Sequence, residues 1–178
     1  MNYRIRPGQR GDAEEINRIV NWYICNTHIS FDTIPWDLPT RQKWLLQFDS
    51  LFLRENSASE NTGQLHFLYV AESAGRLLGY TCNTMFRPKA AYRHSTECTV
   101  YVDHMNSIPG VGSALYRQLF DRLSETDLHR AYAVISQPND RSNKLHERFG
   151  FVRQADLTEC GYKFGRFMDI AVYQKALD

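Results

Sequence analysis

The sequence predicts an α/β domain of the α+β type, in which a mixed, mostly antiparallel sheet of about seven strands carries helices on both faces. Strand-like runs and helically spaced apolar residues alternate in the order β-α-α-β-β-β-α-β-α-β-β. Hairpins imply antiparallel neighbours, and the two late strand–helix–strand crossings favour locally parallel ones. The 178 residues contain no internal repeat and no low-complexity segment, so residues 1–178 are expected to form a single domain.

The N-terminal part predicts one strand and two helices. Residues 3–7 alternate and stop at a proline, as a short strand does. Asp12 with Glu15 three positions later matches a capping box, and the apolar face that follows indicates a helix to about Asn26. A second helix is expected from Thr40, before a polar surface loop at residues 55–64, and its apolar face comprises Trp44, Leu45, Phe48, Leu51 and Phe52.

Residues 27–39 form a long loop that carries two aromatic side chains, Phe31 and Trp36. Either the rings fill an edge of the core, or the loop lines a binding site. The sequence leaves both interpretations open.

The centre of the chain predicts a hairpin, a further strand and a glycine loop. Residues 65–72 and 77–86 pair around a tight turn, and the strand that opens at Glu97 is β-branched and aromatic at residues 99–102. Gly110 and Gly112 then leave the backbone bare before a helical stripe of Leu115, Leu119 and Leu123. A strand that leads through a glycine loop into a helix N-terminus is an anion-binding arrangement, because exposed N–H groups and the helix dipole both favour negative charge.

The C-terminal part predicts a strand, a short helix and a last pair of strands. Residues 131–136 are the strand, and Asn139 and Asp140 begin a helix that ends at Gly150. Residues 151–162 and 167–174 are expected to be joined around Gly161 and Gly165.

Charge and cysteine content exclude several classes of protein. The 21 Lys and Arg against 20 Asp and Glu give a net charge of +1, which offers no general reason to bind nucleic acid or an anionic membrane. The cysteines Cys25, Cys82, Cys98 and Cys160 are far apart, so neither a metal site nor a disulfide framework is expected. No apolar leader or membrane-spanning run is visible, and we therefore expect a cytoplasmic protein.

Several segments together carry a family pattern. The strand and glycine loop of residues 100–115 precede Asn139 and the run Leu145-His146-Glu147-Arg148-Phe149-Gly150-Phe151. With Phe86-Arg87-Pro88, Ala91-Tyr92-Arg93-His94 and Gly161-Tyr162-Lys163-Phe164-Gly165-Arg166, they resemble the GNAT acetyltransferases, and within them the phosphinothricin or methionine sulfoximine N-acetyltransferases. The resemblance covers nearly the whole chain. It implies a GNAT fold with a splay between the fourth and fifth strands and an acyltransferase that uses acetyl-CoA as donor.

The resemblance also implies binding residues for two substrates. The pantetheine arm of acetyl-CoA would pair with the backbone of Val100, Tyr101 and Val102, and Asn139 would contact it or its sulfur end. The pyrophosphate would lie on the loop formed by Ile108, Pro109, Gly110, Val111, Gly112 and Ser113. Arg87 would bind the carboxylate of a small amine as a bidentate fork, and Phe31 and Tyr92 would shape the pocket for that amine.

The glycine loop departs from the family pattern. Relatives have Gln or Arg at the position of Ser107 and a basic residue at that of Ile108, and Pro109 here removes a backbone donor. We therefore expect acetyl-CoA to bind on the amides of Gly110, Gly112 and Ser113, but more weakly than in relatives. A dissociation constant tighter than about 1 μM would show that the charge is supplied elsewhere.

Glu97 and His146 are the candidate catalytic residues. Amide formation requires an ammonium group to lose a proton, which a nearby carboxylate or imidazole can accept. The resemblance places the family's proposed catalytic glutamate at Glu97; the alternative is an exposed carboxylate at a strand end. His146 replaces the tyrosine acid of most of the superfamily, and it acts either in proton transfer or as a structural histidine. No His–Asp set is readable around Cys98, so direct transfer without an acyl-cysteine is expected.

Other functions stay open. A P-loop nucleotide binder is disfavoured because Gly110 to Ser113 lacks the Lys-Ser/Thr pair. A protein N-terminus, polyamine or aminoglycoside acceptor would require an acidic groove, whereas residues 87–94 are basic and favour a small amine with a carboxylate. A non-catalytic acyl-CoA-binding protein is the third alternative. Family members are often homodimers, and a homodimer with residues 161–174 at its interface is expected.

Overall fold

The computed structural model describes residues 3–48 and 65–177. The strands are β1 Arg4–Pro7, β2 Leu68–Ser73, β3 Arg76–Met85, β4 Ser95–Val102, β5 Arg130–Ser136, β6 Val152–Lys163 and β7 Arg166–Ala176. The helices are α1 Ala13–Asn26, α2 Leu38–Leu45, α3 Val111–Leu123 and α4 Asp140–Arg148, with 3-10 turns at Arg10–Asp12, Leu46–Phe48 and Ala90–Tyr92. The strands form a seven-stranded sheet in the order β1-β2-β3-β4-β5-β7-β6, which confirms the predicted mixed, mostly antiparallel architecture.

Helices cover both faces of this sheet. Successive strand residues point to opposite faces, and Val70 and Ala71 on β2 belong to different buried clusters. Val70 packs with Ile16 and Ile19 of α1, whereas Ala71 packs with Leu115 of α3. The sheet therefore lies between α1 and α2 on one side and α3 on the other.

Strands β4 and β5 separate after a short parallel contact. Their pairing runs only from Ser95↔Arg130 to Glu97↔Tyr132. Beyond it, β4 stays paired with β3 as far as Val102, and β5 stays paired with β7 as far as Ser136. A gap therefore opens between residues 98–102 and 133–136, which confirms the splay that the resemblance implied.

The predicted capping box of α1 is wrong. Asp12 ends a 3-10 turn with helical dihedral angles, and its carboxylate accepts hydrogen bonds from Arg6 Nη2 at 2.7 Å and Arg6 Nη1 at 2.8 Å. Glu15 accepts from Arg18 Nε at 2.9 Å rather than from the cap backbone. Asp12 Oδ2 also accepts from the Gln9 N–H at 2.7 Å, which places the capping box at the preceding 3-10 turn. Charge-assisted bonds to guanidinium are stronger than a neutral cap bond, and they hold both carboxylates away from the first turn of α1.

The sequence predicted Gly161 at the last turn together with Gly165, but Gly161 is not part of that turn. The turn is formed by Phe164 and Gly165, with φ angles of 52° and 75°, and Gly161 lies inside β6. A Cβ atom at Gly161 would lie 2.3 Å from the ring of Phe31. Glycine is needed there for the close approach of that ring.

Two further expectations are corrected. Since β7 lies between β5 and β6, the second strand–helix–strand crossing does not join neighbours, and β4–β5 is the one parallel pair among the described strands. Strand β2 begins at Leu68 rather than at Leu65, because the Asn83 side chain binds the Phe67 N–H at 2.7 Å and the Leu65 carbonyl at 3.0 Å. The predicted apolar positions Leu51 and Phe52 and the loop at residues 55–64 lie outside the described residues.

Candidate active site

Two cavities adjoin in the gap between β4 and β5. The first, of about 420 Å³, is lined by Glu97, Asp32, Tyr116 and His146 among others, and we call it the glutamate cavity. The second, of about 340 Å³, is called the arginine cavity, and its lining includes Gly110, Gly112, Ser113, Arg141 and Arg148. Both are lined by Ile29, Val100, Tyr101, Asn139 and Ser142, so they form one continuous cleft.

Backbone groups of β4 face this cleft. The Thr99 carbonyl accepts from Thr81 Oγ1 at 2.8 Å and the Tyr101 carbonyl lies against Gly79, so both point towards β3. Because alternate residues of a strand direct their peptide groups to opposite edges, those of Val100 and Val102 point into the gap. The Val102 carbonyl already accepts a hydrogen bond from Tyr23 Oη at 2.8 Å.

The glycine loop presents fewer groups to the cleft than the sequence suggested. Gly110 has φ 91° and caps α3, a left-handed conformation that favours glycine. The Val111 N–H donates to the Ile108 carbonyl at 3.2 Å, and both side chains pack into a buried cluster. Among the predicted loop residues only Gly110, Gly112 and Ser113 belong to the described lining; Ile108, Pro109 and Val111 do not. The first-turn N–H groups of Gly112 and Ser113 have no intrahelical acceptor, which suits them to an anion.

Asp103 anchors the chain between β4 and the glycine loop. Its fully buried carboxylate accepts hydrogen bonds from Arg18 Nη2 at 3.0 Å, Asn106 Nδ2 at 2.8 Å and the Met105 N–H at 3.1 Å. Burial opposes ionisation, but these bonds outweigh it and lower the pKa of Asp103 to about 2. The start of the loop is thereby tied to α1.

The other wall of the cleft is α4. Asn139 Oδ1 accepts from the Ser142 N–H at 3.2 Å, so the predicted cofactor contact is also the N-cap of the helix. Arg141 and Arg148 project into the arginine cavity from this helix, although the sequence analysis did not single them out. Their spacing of two helical turns was the available signal, since it places both on one face.

Glu97 occupies the glutamate cavity where β4 and β5 begin to separate. Burial raises the pKa of its carboxyl group above the ordinary value, and the charge of Arg87 partly opposes that shift. Asp32, from the long loop, lines the same cavity and was missed by the sequence analysis. The described lining includes no Lys or Arg, so this end of the cleft is acidic.

Tyr116 and His146 form a buried pair at the floor of the glutamate cavity. His146 Nδ1 lies 2.8 Å from the Ser142 carbonyl, which can only accept, so Nδ1 carries the hydrogen. Nε2 is then an acceptor, and it takes the hydroxyl hydrogen of Tyr116 at 2.7 Å. Burial lowers the pKa of His146 against the opposing effect of the Ser142 carbonyl, and burial raises that of Tyr116 well above its usual range. At neutral pH both are therefore uncharged.

Tyr116 is a second residue that sequence reasoning missed. It lies on the leucine stripe of α3 and reads as core. A phenol at a fully buried position nevertheless requires a hydrogen-bond partner, and that requirement was the usable signal.

The two aromatic residues of the long loop have different surroundings. Trp36 packs beside the core under the Arg41 guanidinium, 4.2 Å from the ring centre. Phe31 lines the glutamate cavity and lies against Gly161. Lys163 Nζ donates to the Ser30 carbonyl at 2.7 Å and holds the loop in this position.

Arg87 and Tyr92 lie beside the cleft but outside the described lining of either cavity. The Arg87 guanidinium is 4.8 Å from the Phe86 ring centre, and Phe86 contacts Tyr92 edge-on and stacks on Tyr132 at 4.0 Å. Tyr132 pairs with Glu97 across β4 and β5. The aromatic cluster therefore sets Arg87 next to Glu97 rather than inside the cavity.

Cys98 lines the glutamate cavity, and burial raises the pKa of its thiol well above the usual range. A neutral buried thiol is a poor nucleophile. Over residues 3–48 and 65–177, no group of three or more His, Cys, Asp or Glu side chains is arranged to hold a metal ion. In the same part of the chain, every helix is too short or too polar to cross a membrane.

Known proteins share this architecture. The family described as acetyltransferase (GNAT) domain matches residues 5–172. A phosphinothricin N-acetyltransferase from Streptomyces coelicolor is 40% identical over 174 residues, covering 98% of this chain and 96% of that protein. An L-methionine sulfoximine/L-methionine sulfone acetyltransferase from Pseudomonas paraeruginosa is 32% identical over 178 residues, covering 100% and 96%. A Salmonella typhimurium structure solved with its cofactor acetyl-CoA superposes with a TM-score of 0.85 at 26% identity, covering 100% and 95%.

A cleft between diverging strands, a glycine loop at a helix N-terminus and these matches define one class. The chain belongs to the GNAT acetyltransferase family, and it is an N-acetyltransferase. Its relatives include enzymes named for phosphinothricin and for methionine sulfoximine.

Proposed function

We propose that the protein transfers an acetyl group from acetyl-CoA directly to the primary amine of a small amino-acid-like acceptor, such as phosphinothricin or methionine sulfoximine. One observation carries the proposal: a single cleft has a partly buried carboxylate at one end and an anion-binding helix N-terminus at the other. The matched relatives act, by name, on such acceptors.

Glu97 accepts the first proton and releases it to solvent before the next turnover. An α-amino group with a pKa near ~8 arrives mostly as ammonium, and only the neutral amine attacks a thioester. The raised pKa of Glu97 brings its basicity closer to that of the amine, which favours proton transfer. The N–H groups of Val100 and Val102 point into the gap, where they can stabilise the oxyanion that forms on the acyl carbon.

Tyr116 and His146 carry the second proton. Since the Tyr116 hydroxyl already donates to His146 Nε2, its oxygen can accept a proton from the attacking nitrogen while its own hydrogen passes to the imidazole. The C–S bond then breaks with its electron pair going to sulfur. The relay returns one proton to that sulfur, so the pair ends in its starting state. The lowered pKa of His146 favours this release.

At the acceptor end, Arg87 binds the carboxylate next to Glu97, and Phe31 and Tyr92 shape the pocket. A second class of acceptor also has support, because Asp32 and Glu97 line the cavity and its described lining has no Lys or Arg. An acidic lining favours a polyamine or another cationic amine.

We also propose that two copies associate through the β6–β7 hairpin. Its exposed aromatic residues are Tyr162, Phe164 and Phe167. Molar mass from light scattering at two protein concentrations tests this part separately.

The decisive experiment measures release of coenzyme A thiol from acetyl-CoA with a panel of amines. Phosphinothricin, methionine sulfoximine and methionine sulfone are expected to be turned over faster than spermidine or an N-terminal alanine peptide. Preference for spermidine would support the cationic acceptor instead. Binding of acetyl-CoA without turnover of any amine would contradict the catalytic proposal.

A further inference from the structure

We propose that Arg141 and Arg148 of α4 bind the phosphate groups of coenzyme A and supply the positive charge that the glycine loop lacks. The inference rests on the proposed use of acetyl-CoA. It assigns a role to two residues on the opposite wall of the cleft from the loop.

The loop alone offers only dipoles. Residues 106–113 read Asn-Ser-Ile-Pro-Gly-Val-Gly-Ser and contain no Lys, Arg or His. One potential donor is missing at Pro109, and the Val111 N–H is used within the loop. A helix N-terminus carries roughly half a unit of charge, whereas coenzyme A brings a diphosphate and a separate phosphomonoester.

The arginine cavity carries positive charge, although the glycine loop that borders it has no charged side chain. Arg141 and Arg148 both line it together with Gly110, Gly112 and Ser113, and its described lining contains no Asp or Glu. Two helix N-termini, those of α3 and α4, also open onto it, because Asn139 and Ser142 belong to the lining. Both charged side chains and both helix N-termini on its described walls therefore favour an anion.

Both guanidinium groups are available. Within the described chain, neither Arg141 nor Arg148 forms an ion pair with a carboxylate, and the structure shows only an Arg148 Nε bond to the Lys144 carbonyl, at 3.3 Å. The charge of Arg141 acts on the Tyr23 hydroxyl and opposes the rise in the pKa of Tyr23 that burial causes. Since Tyr23 binds the Val102 carbonyl at the edge of β4, Arg141 lies close to the path along that strand.

The spacing allows each arginine to bind its own phosphate group. Seven residues along an α-helix separate the two Cα atoms by about 10 Å on one face. The diphosphate and the ribose phosphate of coenzyme A are separate groups that two such arginines can bind one each.

Isothermal titration calorimetry of the full chain with coenzyme A and with dephospho-coenzyme A tests the inference without requiring turnover. The variants are Arg141→Gln, Arg148→Gln and the matched control Lys144→Gln. Lys144 lies between the two arginines on α4 and is exposed, but it does not line the arginine cavity. Circular dichroism of each variant confirms that α4 is intact.

We expect each arginine variant to weaken coenzyme A binding about 10-fold and to reduce its salt dependence, whereas the lysine control stays within about 2-fold. A loss that disappears with dephospho-coenzyme A assigns that arginine to the ribose phosphate, and a loss that persists assigns it to the diphosphate. Unchanged affinity in both variants, or an equal loss in the control, overturns the inference. If the wild type turns over no amine but the arginine variants show these losses of affinity, the inference stands and the proposed activity fails. If the wild type binds no coenzyme A, both fail.

Discussion

The glutamate cavity and the arginine cavity share β4 as one wall and differ in charge. The first has Glu97 and Asp32 in its described lining and no Lys or Arg, and the second has Arg141 and Arg148 and no Asp or Glu. A donor with anionic phosphates and an acceptor that must lose a proton make opposite electrostatic demands. The division allows each demand to be met without cancelling the other.

Helix α4 serves both cavities because its residues lie on different faces of the helix. His146 lines the glutamate cavity, Arg141 and Arg148 line the arginine cavity, and Ser142 lines both. One short helix thus orients the proton relay and presents the cations. Substitutions that alter one cavity should therefore leave binding in the other cavity unchanged.

Glu97→Gln should produce the largest effect. Removing the proton acceptor should lower kcat/KM about 10³-fold, with coenzyme A affinity within about 2-fold of wild type. In the wild type, the acid limb of the pH–rate profile should lie above the ordinary glutamate pKa, because burial raises it. Thiol release from pH 5 to 9 measures this, with the exposed Glu125→Gln as control. Wild-type kcat/KM in Glu97→Gln across that range would exclude Glu97 as the base.

The same substitution should not destabilise the fold. A carboxyl group whose pKa is raised on folding binds protons more readily in the folded state, so its contribution to stability falls as pH rises through the interval above ~4.3. At pH 7 the glutamine avoids that cost. Thermal unfolding should show a Tm equal to or above that of the wild type, and a lower Tm would contradict the assigned burial effect.

Tyr116→Phe should lower kcat about 10²-fold while both KM values stay within about 2-fold, because the relay is interrupted while the cavity lining loses only one buried hydroxyl group. It also leaves His146 Nε2 without its donor, at a cost of about 1–3 kcal/mol in unfolding free energy. Tyr173→Phe is the matched control, since that buried hydroxyl contacts Glu147 at 3.5 Å and lies outside both cavities. Equal kcat losses in both variants would indicate a structural effect only.

Local patterns were sufficient for most of the fold and for the elements on which the candidate site residues lie. Glycine loops, alternation and caps act within a few residues, so β4, the Gly110 cap and α4 were predictable from the sequence. Tyr116 and His146 are 30 positions apart in the sequence, and their hydrogen bond depends on how α3 and α4 pack. Gly161 was misplaced for the same reason, since the glycine is required by contact with Phe31 in a distant loop and not by a local turn.

Asp103→Asn should act on the arginine cavity through the loop. Leaving Arg18 without its buried partner should cost about 2–4 kcal/mol of unfolding free energy and weaken coenzyme A binding about 5-fold. A pKa lowered to about 2 means that the wild-type carboxylate contributes above ~3.9 and loses that contribution as pH falls towards 2. Urea titrations from pH 5 to 2 should therefore show a flatter decline in the variant. The exposed Asp121→Asn serves as control, and a steeper or equal decline in Asp103→Asn would contradict this assignment.

Gly161→Ala should have the smallest effect and confine it to the glutamate cavity. The added Cβ would lie 2.3 Å from Phe31, so the ring must shift within the loop that Lys163 holds. Displacing a ring within a surface loop costs about 1 kcal/mol, which corresponds to a rise of about 5-fold in KM for the acceptor. Coenzyme A affinity should not change, since Phe31 lies outside the arginine cavity. Gly11→Ala is the matched control because nothing lies within 4 Å of its added Cβ. Equal changes in acceptor KM and coenzyme A affinity would show that the two cavities do not respond independently.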